Sequence, residues 1–335
     1  MRSLSTTAVV ITYNGERWIA EQLRSIMGQT HPVDEIVVAD DASHDQTLST
    51  VREVLAGWGG RVRVIERDHN VGVRANLESA LATASGDVVF LCDQDDRWHP
   101  HKVARQVAEF DAPEVELAFS DATVVSDDGT AQQGLWDAVG FTRGLRARWA
   151  ADPLGVLLAK EVVTGATLAC RRELLVRALP IPRHRWHDSW LALTAVLTGG
   201  SVTAIPDALM IYRRHDANTA GLPSRRWVDR LTPTAVTVTT RAERIQQLRA
   251  ARERYIAMDD GRTGRLRMAE AFNEDRLLLP ARRPARVPFV TTGVITGRYW
   301  RVANGTRSAA EDLLRAALPP DLVDDVRAVL SSSTS

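Results

Sequence analysis

The chain has 335 residues, 44% apolar and 25% charged, with 42 basic against 42 acidic side chains and a formal net charge of zero. That balance excludes a disordered chain and offers no global basic field for nucleic acid; it suits one large globular domain with an appendage. Two cysteines, Cys92 and Cys170, both in apolar runs, do not make a disulfide framework and read as buried thiols in a reducing compartment.

In chain order, the stretch from Met1 to Thr7 lacks the long apolar core of a signal peptide, and no window reaches the length of a bilayer span. The expected location is cytoplasmic or peripheral at the inner face of the cell membrane. Apolar, β-rich runs at Thr7 to Thr12, Glu35 to Ala39, Val62 to Glu66 and Asp87 to Cys92 alternate with helical patterns near Glu16 to Met27, Gln46 to Leu55 and Val73 to Thr83. Strands apolar on both faces, joined by crossover-length helices, predict a doubly wound α/β domain with a mostly parallel sheet flanked by helices.

Further on, the pattern predicts a helix over His101 to Phe110, a strand over Val115 to Ser120 and a looser, Gly-, Arg- and Trp-rich stretch from Asp127 to Asp152. A strand at Val162 to Cys170, a short helix at Glu173 to Ala178, a helix at Ser189 to Leu197 and strands near Ser201 to Ile205 and Leu209 to Arg213 follow. The first domain is expected to end around Gly221 to Pro223, giving one large domain over 1–222 and a C-terminal helical region over 223–335. Candidate helices there are Ala242 to Met258, Arg262 to Leu279, Ser308 to Leu318 and Leu322 to Leu330. The patches Arg225 to Trp227 and Arg298 to Arg301 read as helix-packing or solvated residues, with a membrane-surface or partner-binding role as the alternative.

The most informative stretch runs from Val88 to Trp98, where an apolar strand delivers Asp93, Asp95 and Asp96 at its carboxyl end. Ligand chemistry in α/β proteins sits at that end of the strands. Three acids within four positions repel one another unless a cation or donor network compensates. Asp96 suits a cap on the helix opening near His99, but capping needs one acid, and the hard oxygens of Asp93 and Asp95 favour Mg²⁺ or Mn²⁺ carrying a phosphorylated ligand.

Other turns converge on the same sheet edge. The first strand ends in Thr12-Tyr13-Asn14-Gly15, with room for a ligand ring or phosphates, and the second in Asp40-Asp41-Ala42-Ser43-His44-Asp45. Asp45 suits a helix cap, whereas an acid at Asp40 or Asp41 can accept hydrogen bonds from a nucleobase imide or a ribose hydroxyl. After the third strand, Asn70-Val71-Gly72-Val73-Arg74 places a turn and an arginine nearby, the latter as a phosphate or base contact or as a surface salt bridge.

Taken together, Val10 to Asn14, Asp40 to Asp45, Asn70 to Gly72 and Asp93-Gln94-Asp95 resemble the nucleotide-diphosphosugar-binding half of family 2 glycosyltransferases, inverting enzymes of the GT-A fold. The run Asp93 to Trp98 further resembles the rhamnosyltransferase-like branch. The resemblance covers roughly the first 220 residues, a single-domain span. Val163 to Ala166 looks like the acceptor-side strand entry, Trp186 to Trp190 like the segment supplying the catalytic base, and Tyr212 to His215 like the late motif whose histidine completes a metal site. The resemblance implies Asp188 as base, Asp93 and Asp95 as the DxD motif, His215 as a third metal ligand and Asp40 as reader of the nucleoside. It also implies nucleotide-sugar contacts at Thr12, Tyr13, Asn14, Arg74, Asp93 and Gln94. Ala42 stands where such motifs more usually carry Gly, and His44 where they carry Thr.

The chemistry asks for the same parts. A sugar diphosphate leaves as a multiply charged anion that needs a cation, and an acceptor hydroxyl needs a carboxylate to take its proton. Asp188 also precedes a helix and suits its amino-terminal cap, a role compatible with catalysis if one oxygen caps. The expected reaction moves a sugar, rhamnose by resemblance, from a dTDP- or UDP-linked donor to a hydroxyl of a cell-surface glycan or lipid-linked saccharide. The alternatives are a sugar nucleotidyltransferase, for which Thr12 to Arg17 lacks a triphosphate-holding loop, and a sugar-nucleotide-binding protein without turnover. Trp136, Trp149 and Trp186 are candidates for stacking on acceptor sugars or for core packing.

Overall fold

The structure, a computed structural model, describes residues 3–126, 128–182, 187–215, 235–255, 261–278, 286–303, 308–310 and 312–313. The chain divides into two compact units: Met1–Phe141, Val162–Ile181 and Trp186–Gly221 in one, and Thr142–Glu161, Pro182–Arg185 and Leu222–Ser335 in the other, each as far as described.

The first unit opens with three repeats of strand and helix: β1 (Thr6–Thr12), α1 (Ile19–Met27), β2 (Glu35–Asp40), α2 (Thr47–Leu55), β3 (Arg61–Glu66) and α3 (Val73–Thr83), leading to β4 (Val88–Asp93). Each helix buries one stripe at helical spacing, Ile19, Leu23 and Ile26 on α1 and Thr47, Val51 and Leu55 on α2. After β4 come β5 (Arg97–Trp98), α4 (Lys102–Val107), β6 (Val115–Ser126), β7 (Ala131–Gly134) and α5 (Leu135–Ala138). The chain then enters the second unit with α6 (Arg143–Trp149) and α7 (Pro153–Ala159) and returns through β8 (Leu168–Arg171), α8 (Arg172–Ala178), α9 (His187–Leu197) and β9 (Ser201–Arg214).

One sheet runs in the order β3-β2-β1-β4-β8-β6-β9-β5, with β7 paired to β6. The first four strands are parallel, β8 is antiparallel to both neighbours, and β6 and β9 are parallel. Register places Ile11 beside Asp93 and Thr12 beside Asp40, so the turns after β1, β2 and β4 open on one edge. β1, β2 and β4 are buried throughout or nearly so, but β3 is an edge strand with most of its side chains exposed. A run apolar at alternate positions, as in Arg61-Val62-Arg63-Val64, needs only one covered face.

Several segments differ from the expectations, among them β5 and the helices at Arg286–Ile295 and Arg298–Val302, for which no element was expected. The stretch after Asp127 is ordered, forming β7, α5 and α6; Trp136 in α5 donates from its indole N–H to the Ser120 carbonyl and packs against Phe119 and Phe141. The strand expected over Val162 to Cys170 shortens to β8, because Gly165–Thr167 winds into a 3₁₀ turn. The two late strands are one, β9, whose pairing with β6 slips beside Pro206, a residue without an N–H for the ladder. Helix α7 was not expected, although Asp152 caps it, accepting from the Gly155 N–H at 2.9 Å, with Pro153 in its first turn.

In the second unit, α10 (Ala235–Tyr255), α11 (Arg262–Leu278), α12 (Arg286–Ile295) and α13 (Arg298–Val302) join α6 and α7. Phe272 meets Tyr299 edge to face at 5.0 Å, the Tyr299 hydroxyl donates to Asp312 at 2.8 Å, and Arg276 forks onto the same carboxylate. Trp149 is buried in this unit. Arg225 to Trp227, Leu322 to Leu330 and all of Ser308 to Leu318 except 308–310 and 312–313 lie outside the described residues, as does Trp186.

Candidate active site

A cavity of about 380 Å³ opens at the carboxyl ends of β1 and β4, within the first unit. Thr12 and Tyr13 come to it from β1, Asp41 from β2, Asn70, Gly72 and Asn76 from the β3–α3 turn and α3, Asp93, Gln94 and Asp95 from β4, and Gly165, His187, Asp188 and Tyr212 from the later elements. Its size is that of a small-ligand site.

The acids are held in different ways. Asp93 lies half-buried on the wall, and burial, together with the negative charges of Asp95 and Asp188, pushes its carboxyl up to about 7. Asp95 is met by His215, whose Nε2 lies 2.9 Å from its Oδ2, and the imidazole is stacked 4.1 Å from Trp18. Asp96 turns away from the cavity and is almost fully buried; one oxygen accepts from the Arg213 N–H at 3.1 Å, and burial with the charges of Asp95 and Asp93 raises its carboxyl well above the ordinary range. It does not cap α4, which starts after His101; its place is to tie β4's end to β9.

Asp188 sits in the first turn of α9, where Oδ1 accepts from the Ser189 N–H at 2.6 Å and Oδ2 from the Gly165 N–H at 3.1 Å. Beside it, burial lowers the pKa of His187, keeping the ring neutral. Gly165 leaves room for the imidazole here, since a Cβ would fall 2.3 Å from His187 Nε2. Tyr212 is nearly buried, and desolvation next to these acids holds its phenol protonated.

Gln94 bridges two strand ends. Its Oε1 accepts from the Tyr13 N–H at 2.9 Å and its Nε2 donates to the Tyr13 carbonyl at 3.0 Å. A Cβ at residue 15 would sit 2.1 Å from Gln94 Oε1, so Gly15 leaves the space this bridge occupies.

Of the residues expected at a nucleotide-sugar site, Thr12, Tyr13, Asp93, Gln94, Asp95 and Asp188 gather on the cavity, and His215 joins through Asp95. Asp40 does not. It is fully buried, accepting from the Thr12 hydroxyl at 2.7 Å and from the Ser43 N–H and hydroxyl, and the next acid, Asp41, lines the cavity instead. Asp41 accepts from the N–H groups of Val71 and Gly72 and so shapes the turn opposite. Arg74 is also elsewhere, bonded to Glu78 and the Ile181 carbonyl, as the salt-bridge reading has it. Asn14 lies beside the cavity at φ 47°, its side chain accepting from the His44 N–H. Ala42 takes φ 64°, the left-handed region that suits the more usual Gly. Asp45 does not cap α2, whose N-cap is Gln46; it sits one residue before it and accepts from the Thr47 N–H. Sequence reading passed over Asn76 and His187; Asn76 was signalled by a polar side chain on the buried face of α3, where it donates to the Ala39 carbonyl.

Comparison with known proteins agrees with this edge. Residues 7–174 match the family described as Glycosyl transferase family 2. An uncharacterized protein of Mycobacterium tuberculosis, Rv1520, is 31% identical over 211 residues, 62% of this chain and 58% of its own; the chain thus spans 58% of that relative's length. Among solved structures, TarS of S. aureus in complex with UDP-GlcNAc superposes with a TM-score of 0.58 at 16% identity, over 89% of this chain and 82% of that one. The mannosyltransferase PcManGT of Pyrobaculum calidifontis, in complex with GDP-Man and Mn²⁺, gives 0.54 at 21% identity over 94% and 87%. At such identities the likeness shows the fold, which is GT-A-like, a mixed α/β sheet flanked by helices. The match runs from β1 through β8, across the strand ends that carry Thr12, Asp93 and Asp95, and covers half of the sequence: the chain belongs to glycosyl transferase family 2.

Proposed function

We propose that the chain is a metal-dependent inverting glycosyltransferase that moves a sugar from a nucleotide diphosphate to an acceptor hydroxyl. The observation that carries this reading is the convergence of Asp93, Asp95 and Asp188 on one cavity, with His215 bonded to Asp95. Carboxylates gathered this closely, one of them pushed up to about 7, need a compensating positive charge to ionise together.

The donor set fits a hard divalent cation. Among the described residues no group of three or more His, Cys, Asp or Glu side chains is arranged to hold a metal ion by itself. Mg²⁺ and Mn²⁺ need none, being held by one or two carboxylates with phosphate oxygens and water filling the other places. Asp95 and His215 would hold the ion, with Asp93 beside it as ligand or as ribose contact. When bound, the cation would neutralise charge on the departing diphosphate.

This chain's own residues supply the rest. Asp41, rather than Asp40, would read the nucleoside, with Thr12 and Tyr13 along the ring; in support, all three line the cavity. Asp188 takes the acceptor proton as the oxygen attacks the anomeric carbon; the bond from that carbon to the diphosphate oxygen breaks, and the nucleotide leaves with the electron pair. One displacement inverts the centre. A UDP- or dTDP-linked donor, with rhamnose as the sugar, follows from the resemblance of Asp93 to Trp98, and a glycan or lipid-linked saccharide as acceptor from the resemblance as a whole. TarS with UDP-GlcNAc and PcManGT with GDP-Man and Mn²⁺ support the nucleotide-sugar and metal parts.

Titration calorimetry with a panel of UDP- and dTDP-sugars, with and without Mn²⁺, tests the reading. Binding should depend on Mn²⁺ and vanish in Asp95→Ala. Unchanged affinity in that variant would overturn the metal assignment, and tight binding without hydrolysis or transfer to any saccharide would leave a binding protein in place of an enzyme.

A further inference from the structure

The second unit carries a surface that the proposed chemistry does not use. Between Asp275 and Glu311 the sequence holds seven arginines and no carboxylate side chain. Within that stretch, α12 buries one side, at Val290 and Gly293, and leaves Val287, Val294 and Ile295 outside. Val287 and Val294 are seven residues apart and so share a face. Ile295 is 85% exposed, and Trp300 on α13 is 43% exposed.

Apolar side chains of this size are seldom left in water together without use. Arg301 lies next to Trp300 and is itself exposed, and Arg298 is shared between Asp275 and the face of the Phe272 ring. An aliphatic and indole face with the exposed Arg301 beside it, on a stretch of sequence that holds seven arginines and no acid, matches a surface that is apolar below and negative above. That is the profile of an anionic lipid bilayer at its headgroup level. No helix of the described residues is long and apolar enough to cross a membrane, so the contact would be in the plane of the surface.

We infer that the α12–α13 face is a membrane-docking surface that seats Val294, Ile295 and Trp300 among the headgroups of anionic lipids, with Arg301 at the phosphates. A protein partner would need acids to meet the arginines and a groove for the apolar ridge; the bilayer supplies both charge and apolar depth without a shaped counterpart. The inference stands independently of the glycosyl-transfer reading, because its test reads adsorption alone.

The full chain is sedimented with phosphatidylglycerol vesicles and with phosphatidylcholine vesicles at low and at raised salt. Binding should be confined to the phosphatidylglycerol vesicles and weaken as salt rises. Ile295→Asp with Trp300→Ala should weaken it about tenfold or more, and Arg301→Glu by a smaller factor, with melting temperatures close to the parent because all three side chains are exposed. Failure to bind phosphatidylglycerol vesicles, or binding indifferent to these substitutions, overturns the inference. So does a concentration-dependent dimer in solution that Ile295→Asp dissociates, which would assign the face to a second copy of the chain.

Discussion

Asn in place of Asp93 should stabilise the ligand-free, metal-free protein, and more strongly as pH rises. Asp93 has an ordinary value of 3.8 when exposed, and burial with the charges of Asp95 and Asp188 pushes it up to about 7 in the fold. A raised folded-state pKa means that the native protein keeps a proton the unfolded chain has lost. The stability linked to that proton is fully present below pH ~4 and is lost as pH climbs to about 7. A shift of about three units corresponds to a ceiling of about 4 kcal/mol, which Asn, having no charge to bury, would recover at pH 8. Asp93 keeps part of its surface toward the cavity, and water there screens the repulsion, so the expected gain is about 1–3 kcal/mol at pH 8 and less than half of that at pH 5. Urea unfolding in EDTA at the two pH values reads the difference as a shift in midpoint. A variant equally stabilised at both, or destabilised at pH 8, would refute the account of mutually repelling carboxylates. The same variant should bind sugar nucleotide less well when Mn²⁺ is present, separating a role in function from a cost in stability.

Other residues give sharper single outcomes. Asp188→Asn should leave donor affinity within about twofold while lowering transfer by ~10²-fold or more, measured by single-turnover release of nucleotide; retained turnover would move the base elsewhere. Gln94→Ala removes two hydrogen bonds on an exposed rim, so stability should change by less than about 1 kcal/mol while donor affinity falls several-fold, read by denaturant melts and calorimetry side by side. Trp190 is fully buried in α9 and donates to the Ala178 carbonyl at 2.7 Å, and Trp190→Ala should cost about 3–5 kcal/mol in the same melts.

The parallel half of the sheet was legible because each strand of β1, β2 and β4 is a short apolar run ended by a polar turn, and each intervening helix shows its stripe. Which of two adjacent acids faces the ligand was not. Asp40 and Asp41 are alike in composition, but neighbouring side chains around a strand end point in different directions, and only the register with Thr12 turns Asp40 into the core. Arg74 likewise depends on long-range partners, Glu78 along the helix and the Ile181 carbonyl over a hundred residues on. Helix α7 carried its cap signal in Asp152-Pro153 all along, obscured by the glycines and arginines before it. The link from His215 to Asp95 joins residues 120 apart, a distance that no local pattern spans.

The carboxamide of Gln94 meets both backbone groups of Tyr13 as a neighbouring peptide would, adding a rung to a ladder where the two strands have already stopped. The loop that would touch a nucleoside and the loop that would grip its phosphates are thereby yoked: neither lip can drift without dragging the other. Slot width becomes a property of one side chain's reach. Asn, shorter by a methylene, would draw the lips together, and Glu, lacking the N–H, would let one of them go.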